Sequence, residues 1–571
     1  MEYSAIAQRK QAQVWERIPQ EWRLSPSQIP PGMHSPAESV ENVQYDRVNV
    51  LGIPRSCGLL SPKELSITEN WDIKGLLGEI HSRKLTSKEV IEAFCKRAAI
   101  AHQITRCLTE PLFDSALKRA QELDDHINRT GTPIGPLHGL PVSVKDSFHI
   151  AGVDSSIGIA ALAEKPATHS APLVCLLTSL GAVVITKTNI PQTMGALDSA
   201  NHLFGRTLNP LNRQLTVGGS TGGEGALLAL RGSMIGFGTD IGGSIRIPAM
   251  CNGLYGFKPS QGRVPFGGQT DGQPRAKGRI SLQAVAGPIA RSVADIDAVL
   301  RHLVPRAQWF GEDCIPGVWP SPVSTFSQRK PVTVGVLQSD GLVEPLPPIT
   351  KVLNEVAAAL RRTPGVNVVD IPVPAALAKC QAVAGRLMGV DGGNAMLDLV
   401  ESTGETLIPW LKSRTKRGKP LTLAQLAELQ AQRGEIELEL RKKLWMLDSE
   451  DEQKVDAIIL PVAPHPVPEL DRYNAVGYTS SFVLLDYPAG VVPVRKFGEA
   501  DLERGVEMEK KVLGSWDRKN RELWNEKTVD RTVYLGSPLS VQVITPRQHD
   551  YALYQAMELI DRAIQTDRPK L

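Results

Sequence analysis

Two glycine-rich segments, each carrying one serine, lie close together in this chain of 571 residues: Gly218-Gly219-Ser220-Thr221-Gly222-Gly223-Glu224-Gly225 and Thr239-Asp240-Ile241-Gly242-Gly243-Ser244-Ile245-Arg246. Glycine reaches backbone angles closed to other residues without steric cost, so such segments can turn several N–H groups toward one point. A nucleophilic serine needs that arrangement for the oxygen that becomes charged when it attacks a carbonyl.

Serine alone is a poor nucleophile and needs a base. Lys145 ends the apolar run Pro141-Val142-Ser143-Val144-Lys145, which reads as a buried strand. A free lysine is neutral in only roughly 1 of 2,500 molecules at pH 7, but burial lowers its pKa by up to about 3–5 units. The pattern therefore points to a serine hydrolase whose base is an amine.

The first segment admits two other readings. It lacks the Gly-Lys-Ser/Thr ending of a phosphate-binding loop. Gly218-Gly219-Ser220-Thr221-Gly222 does satisfy the Gly-x-Ser-x-Gly nucleophile elbow, with His302, His465 or His549 available downstream. An elbow should follow directly on an apolar strand, and Asn209 to Val217 is a poor one. That reading also leaves the second segment unexplained.

These motifs resemble the amidase signature family, whose Ser-cisSer-Lys triad falls on Ser244 as nucleophile, Ser220 as bridging serine with a cis peptide bond, and Lys145 as base. Here 75 positions separate Lys145 from Ser220 and 24 separate Ser220 from Ser244. The likeness continues through Lys187 to Met194, Phe257 to Ser260, Gly287 to Asp295 and Gly536 to Gln542, and covers roughly Trp71 to the C-terminal helix. Within the family, Glu224, the Ala101 to Thr105 stretch and the long N-terminal arm are most similar to fungal acetamidases or general amidases.

The resemblance implies an oxyanion hole from the N–H groups of Ile241, Gly242, Gly243 and Ser244, with Met194, Gly219, Thr221, Asp240 and Arg246 in support. The Met194 carbonyl would accept from the active-site hydroxyls. Thr221 stands where serine is common and would keep a hydrogen bond to Lys145. Asp240 and Arg246 would pair and hold the loop. No metal or cofactor is implied.

The expected fold is α/β: one large domain with a central mixed, mostly parallel sheet covered by helices on both faces. Strands are expected at 140–145, 183–187, 332–337, 366–371, 457–461, 490–494 and 540–544. Helices are expected at 171–180 and 292–303 and, behind the capping box Thr86-Ser87-Lys88-Glu89, up to about His102. Residues 1–66 read as an arm, with an amphipathic helix over 3–24 and a proline-rich run from Pro26 to Pro54. Residues 67–571 form the catalytic domain, with a helical insert around 385–450 in which Thr422 to Met446 reads as an exposed helical pair.

A net charge of +3 with dispersed basic residues gives no reason to expect nucleic acid, and the Lys412 to Lys419 cluster reads as a solvated loop. Seven scattered cysteines without a Cys-x-x-Cys pair fit reduced thiols. No stretch approaches the roughly 18 apolar residues of a membrane span. A cytoplasmic location is expected, with Pro569-Lys570-Leu571 a faint echo of a peroxisomal address.

The expected activity is hydrolysis of a small-molecule carboxylic amide to a carboxylate and ammonia or amine. Acyl transfer or lipid-amide or ester hydrolysis by the same triad are alternatives, and a catalytically silent binding subunit is a remote one. A homodimer is a further expectation.

Overall fold

Short runs of β-branched and small residues, bounded by glycine and proline, supply the strands at the centre of the molecule. The computed structural model describes residues 2–33, 36, 38–41, 44–271, 282–320, 326, 331–446, 454–473, 475–505, 508 and 511–566. In chain order the strands are β1 (Leu108–Pro111), β2 (Pro141–Lys145), β3 (Val183–Thr188), β4 (Ala200–Asn201), β5 (Gly205–Arg206), β6 (Ile235–Asp240) and β7 (Tyr255–Lys258). They continue as β8 (Val285–Ala290), β9 (Val332–Val336), β10 (Val366–Asp370), β11 (Ala457–Pro461), β12 (Ala489–Lys496) and β13 (Pro538–Ile544). Eleven form one sheet in the order β1-β3-β2-β6-β8-β7-β12-β13-β11-β9-β10, and β4 and β5 make a separate ribbon.

The sheet is mixed, but its expected parallel majority is not found. The pairs β3–β2, β2–β6, β11–β9 and β9–β10 are parallel, and the other six are antiparallel. The expected strands map onto β2, β3 and β9 to β13. The missed strands β6, β7 and β8 carry the antiparallel centre, and their sequences, Ile-Gly-Phe-Gly-Thr-Asp, Tyr-Gly-Phe-Lys and Val-Ala-Gly-Pro-Ile-Ala, hide it behind glycine and proline.

Helices cover both faces, and β11 shows why. Its side chains alternate: Ala457 and Ile459 join the main core with the helices Pro347–Arg362 and Asp550–Thr566, whereas Ile458 and Leu460 face a second core. That second core is built on the helices Leu377–Met388, Leu423–Leu440 and Gly477–Leu484.

The helix Ser87–Thr105 begins at the expected capping box, where Thr86 Oγ1 accepts from Glu89 N–H and the Glu89 carboxylate accepts from Thr86 N–H, both at 3.1 Å. The helices at 171–180 and 292–303 appear as Pro172–Ser179 and Val293–Leu303. Thr422 to Met446 differs from expectation. It is one helix, Leu423–Leu440, running on through a π turn at Arg441–Trp445. Leu429, Ile436, Leu440 and Leu444 are buried in the second core, so the segment is a packed layer and not an exposed pair.

The first helix closes at Glu16, eight residues short of Leu24, because Arg17 to Pro19 turn the chain so that Ile18, Trp22 and Leu24 enter the main core. Its Lys10 is buried against the carboxylates of Glu110 and Asp154. The proline-rich run continues over the surface, where the Pro31 carbonyl accepts from Arg213. Among the described residues no helix is long and apolar enough to cross a membrane, and all seven cysteines are unpaired. Residues 447–450 of the insert and the terminal Pro569-Lys570-Leu571 lie outside the described residues.

Candidate active site

From β2 the chain crosses to β3 on one side and returns through β6 on the other, so β2 and β6 flank a topological switch point. Ligands of open α/β sheets bind at the carboxyl ends of the strands at such points. Lys145 is the last residue of β2, and Thr239 and Asp240 end β6.

Lys145 is fully buried. Its Nζ donates to Ser220 Oγ and to Thr239 Oγ1, both at 2.7 Å. Burial disfavours the ammonium more than Asp240 and Asp146 favour it, and the pKa is pushed down to about 7. Two other strand lysines are equally buried, Lys187 on β3 and Lys258 on β7. Lys187 donates to the Asp154 carbonyl and Ser155 Oγ, and Lys258 to the Pro259 carbonyl. Neither contacts a serine of the two glycine segments.

Ser220 stands just before the helix Gly222–Ala229, joined to Gly219 by a cis peptide bond. A Cβ at Gly219 would lie 2.5 Å from the Ala196 carbonyl oxygen and 2.7 Å from that of Asp198. Glycine is therefore what lets the 196–198 segment close on Ser220. Two residues upstream, Thr193 and Met194 both have left-handed φ, 64° and 58°. Such backbone costs on the order of 1–3 kcal/mol per residue and gathers at functional sites. Among the described residues the Met194 carbonyl accepts no hydrogen bond; its side chain packs with Ile157, Ile190, Val400 and Leu407.

The expected bond from Thr221 to Lys145 is not made. Thr221 Oγ1 is buried without a partner, pressed against Gly238, where an added Cβ would come within 2.6 Å of it. Thr239 takes the place beside Lys145. The sequence held no signal for that role except the register of β6 beside β2, in which Val144 lies opposite Phe237.

Ser244 lies on the turn from β6 into the helix Arg246–Asn252 and keeps 8% of its surface exposed. Among the described residues its hydroxyl has no hydrogen-bond partner. The turn is shaped by the Asp240 carboxylate, which accepts from Gly243 N–H at 2.8 Å and Ile245 N–H at 3.2 Å. Arg246 donates to the same carboxylate through Nε at 3.0 Å and Nη2 at 2.9 Å, and its Nη1 donates to Gln542 Oε1 at 2.7 Å. Burial opposes the Asp240 charge, but Arg246 outweighs it and holds the carboxyl below its ordinary range. Asp240 and Arg246 thus form a fully buried pair holding the loop.

Of the four N–H groups expected at an oxyanion hole, that of Gly243 is already donated to Asp240. Those of Ile241, Gly242 and Ser244 engage no protein acceptor among the described residues. Gly243 has φ 124°, and a Cβ there would lie 2.5 Å from Thr479 Oγ1. That hydroxyl donates to the Gly242 carbonyl and props the turn from the helix Gly477–Leu484. Thr479 and Gln542 lie more than 230 residues from the turn in sequence, so local reading could not find them.

Beneath Lys145, Ser143 on the same strand face donates to Glu224, which also accepts from Thr188 Oγ1 at 2.9 Å. Burial pushes the Glu224 carboxyl up to about 8 against those two hydrogen bonds.

The arrangement joins a buried amine, a serine within its reach and a second serine on a turn where, among the described residues, three N–H groups have no protein acceptor. Known proteins carry the same architecture. The amidase family model matches residues 89–554. A putative amidase of Schizosaccharomyces pombe is 35% identical over 90% of this chain and 93% of its own length. An acetamidase of Aspergillus oryzae is 33% identical over 95% of both chains. Among solved structures, a fatty acid amide hydrolase superposes with a TM-score of 0.82 at 28% identity, covering 98% of this chain and 95% of the other. A 6-aminohexanoate cyclic dimer hydrolase shares the fold, with a TM-score of 0.67 at 22% identity over 88% of this chain and 98% of its own. With a family match over most of its length and relatives above 30% identity, the chain belongs to the amidase family and is an amidase hydrolase, acting on amide bonds.

Proposed function

We propose that the chain cleaves a carboxylic amide through an acyl-enzyme on Ser244, with Ser220 as proton relay and Lys145 as base. The observation that carries this reading is the buried Lys145 amine, lowered to about 7 and bonded to Ser220 Oγ. Ser244 Oγ forms a bond to the carbonyl carbon as its proton passes to Ser220 and that of Ser220 passes to Lys145. The carbonyl electron pair moves onto oxygen, facing the N–H groups of Ile241, Gly242 and Ser244. Gly243 has a shaping part, since its N–H belongs to Asp240. When the C–N bond breaks, the proton returns through Ser220 to the departing nitrogen, and water then releases the carboxylate from Ser244.

Small aliphatic or aromatic amides are the proposed substrates, as the acetamidase-like relatives suggest. An apolar acyl group longer than acetyl is the second reading, favoured by the Met194, Ile190, Val400 and Leu407 cluster beside the Ser220 loop. We further propose residues 1–66 as an arm on a catalytic domain of 67–571 with its insert near 385–450, and cytoplasmic action as a homodimer.

A fluorophosphonate probe mapped by peptide mass spectrometry tests the roles. Label on Ser244, lost in Ser244→Ala, together with ammonia release from an amide panel, is the expected result. Label on Ser220, or full turnover by Lys145→Ala, overturns the assignment.

A further inference from the structure

Asp240 closes β6 at the edge of the sheet that carries Lys145; five strand residues away, about 16 Å at strand rise, β6, β7 and β13 begin and β8 and β12 end. At that opposite edge a cavity of about 720 Å³ opens to the surface, within the usual range for small-molecule sites of about 300–1,000 Å³. Its walls are largely apolar, with Leu211, Leu254, Val494 and Pro538 among them, yet four cations also line it: Arg231, Arg291, Arg495 and Lys496.

The cations differ in how they are satisfied. Arg495 is neutralised by Glu355 and Asp501. Among the described residues the other three have no carboxylate partner. Arg291 donates to the Ser233 carbonyl at 3.1 Å and to Met234 Sδ at 3.4 Å, and Arg231 to the Glu69 carbonyl at 2.8 Å. A guanidinium carries five N–H donors, so both retain unused capacity. Of the nearby carboxylates, Glu69 pairs with Arg55 and Arg97, while Asp295 accepts from Ile73 N–H and attracts Arg291 without forming an ion pair with it. Burial and the neighbouring Arg231 charge outweigh the attraction of Asp295 and push Arg291 down to about 10. Unpaired like charges against apolar walls are unfavourable unless an anion completes them.

We propose that this cavity is a second ligand site, separate from the amide-cleaving centre, that takes an amphipathic organic monocarboxylate. The carboxylate bridges Arg231 and Arg291 in charge-assisted hydrogen bonds, Lys496 adds charge at the rim, and the apolar body lies along Leu211, Leu254, Val494 and Pro538. An inorganic anion would leave those walls wet, and a neutral amphiphile would leave the cations unpaired.

Titration calorimetry on the full chain tests this, with decanoate, decanol and inorganic phosphate as probes. Arg231→Gly is the first variant, because Arg231 has φ 60°, a backbone glycine adopts freely; Lys496→Glu, at an exposed position, is the second. Decanoate should bind wild type with at least tenfold preference over decanol and phosphate. Each substitution should weaken it at least tenfold with amide turnover retained. A diazirine-bearing decanoate should crosslink near Leu211 or Leu254. Equal binding of decanol, unchanged decanoate affinity in both variants, or crosslinks confined to the Ser244 turn would overturn the proposal. So would dissociation of a dimer by the same substitutions, which would make this face a subunit contact.

Discussion

Lys145 Nζ and Ser220 Oγ lie 2.7 Å apart, the lysine fully shielded from water, at the carboxyl end of a strand buried between two parallel neighbours. A buried amine so placed can be neutral at physiological pH, and its reactivity becomes a function of pH.

With the Lys145 pKa at about 7, the active, neutral form dominates above that pH and is lost below it. The limb of kcat/KM should fall about tenfold per unit of pH below the midpoint and level off above it. A stopped assay from pH 5 to 9.5 checks this, and a profile still climbing at pH 9 would contradict the lowered pKa.

Thr239 accepts from Lys145 and thereby helps the charged form. Thr239→Val should cost about tenfold in kcat, the worth of one hydrogen bond to a charged group, and should also move the pH midpoint lower. The paired shift identifies a positioning role. A lower kcat with an unmoved midpoint would speak for packing alone.

The two serine motifs were legible because their chemistry is written in contiguous residues, and Lys145 because a charged residue closing an apolar run is conspicuous. The partners around them were not. Thr239 reaches Lys145 only through the register of β6 on β2, and β6 itself is masked by the glycines Gly236 and Gly238. Those glycines are functional in packing: a Cβ at Gly236 would strike Glu224, and one at Gly238 would strike Thr221. Val- and Ile-rich strands such as β9 and β11 announced themselves, whereas the strands nearest the site trade side chains for close approach, which erases their pattern. The helix Leu423–Leu440 misled in the opposite sense, since its buried face is narrow and its many charges suggested full exposure.

The Asp240–Arg246 pair is fully buried, so removing one partner strands a charge. Asp240→Asn should cost about 3–5 kcal/mol of stability. Because the folded Asp240 pKa is lowered, its stabilising effect is present above the ordinary pKa of about 3.9 and is lost as pH falls through the folded value. The double variant Asp240→Leu, Arg246→Met should recover much of the stability but little turnover, since Gly243 and Ile245 lose the acceptor that shapes their turn. Denaturant melts alongside amide assays separate the two effects; recovered activity in the double variant would show that the pair serves stability only.

Glu224 supplies the last test, and its sign runs opposite to that of Asp240. Burial raises its folded pKa to about 8, against about 4.3 for a free glutamate. Between those values the folded state holds a proton that the unfolded state has released, so stability declines as pH rises and becomes independent of this group above about 8. Glu224→Gln keeps the shape without ionising: its amide oxygen accepts from one of the Ser143 and Thr188 hydroxyls and its NH2 donates to the other. The variant should match wild type near pH 4.5 and exceed it progressively up to pH 8, by about 4 kcal/mol. Urea midpoints across that range check this. A constant difference between the two proteins would mean that Glu224 is ionised beneath Lys145, and its negative charge would then hold the lysine pKa above the value the first prediction requires.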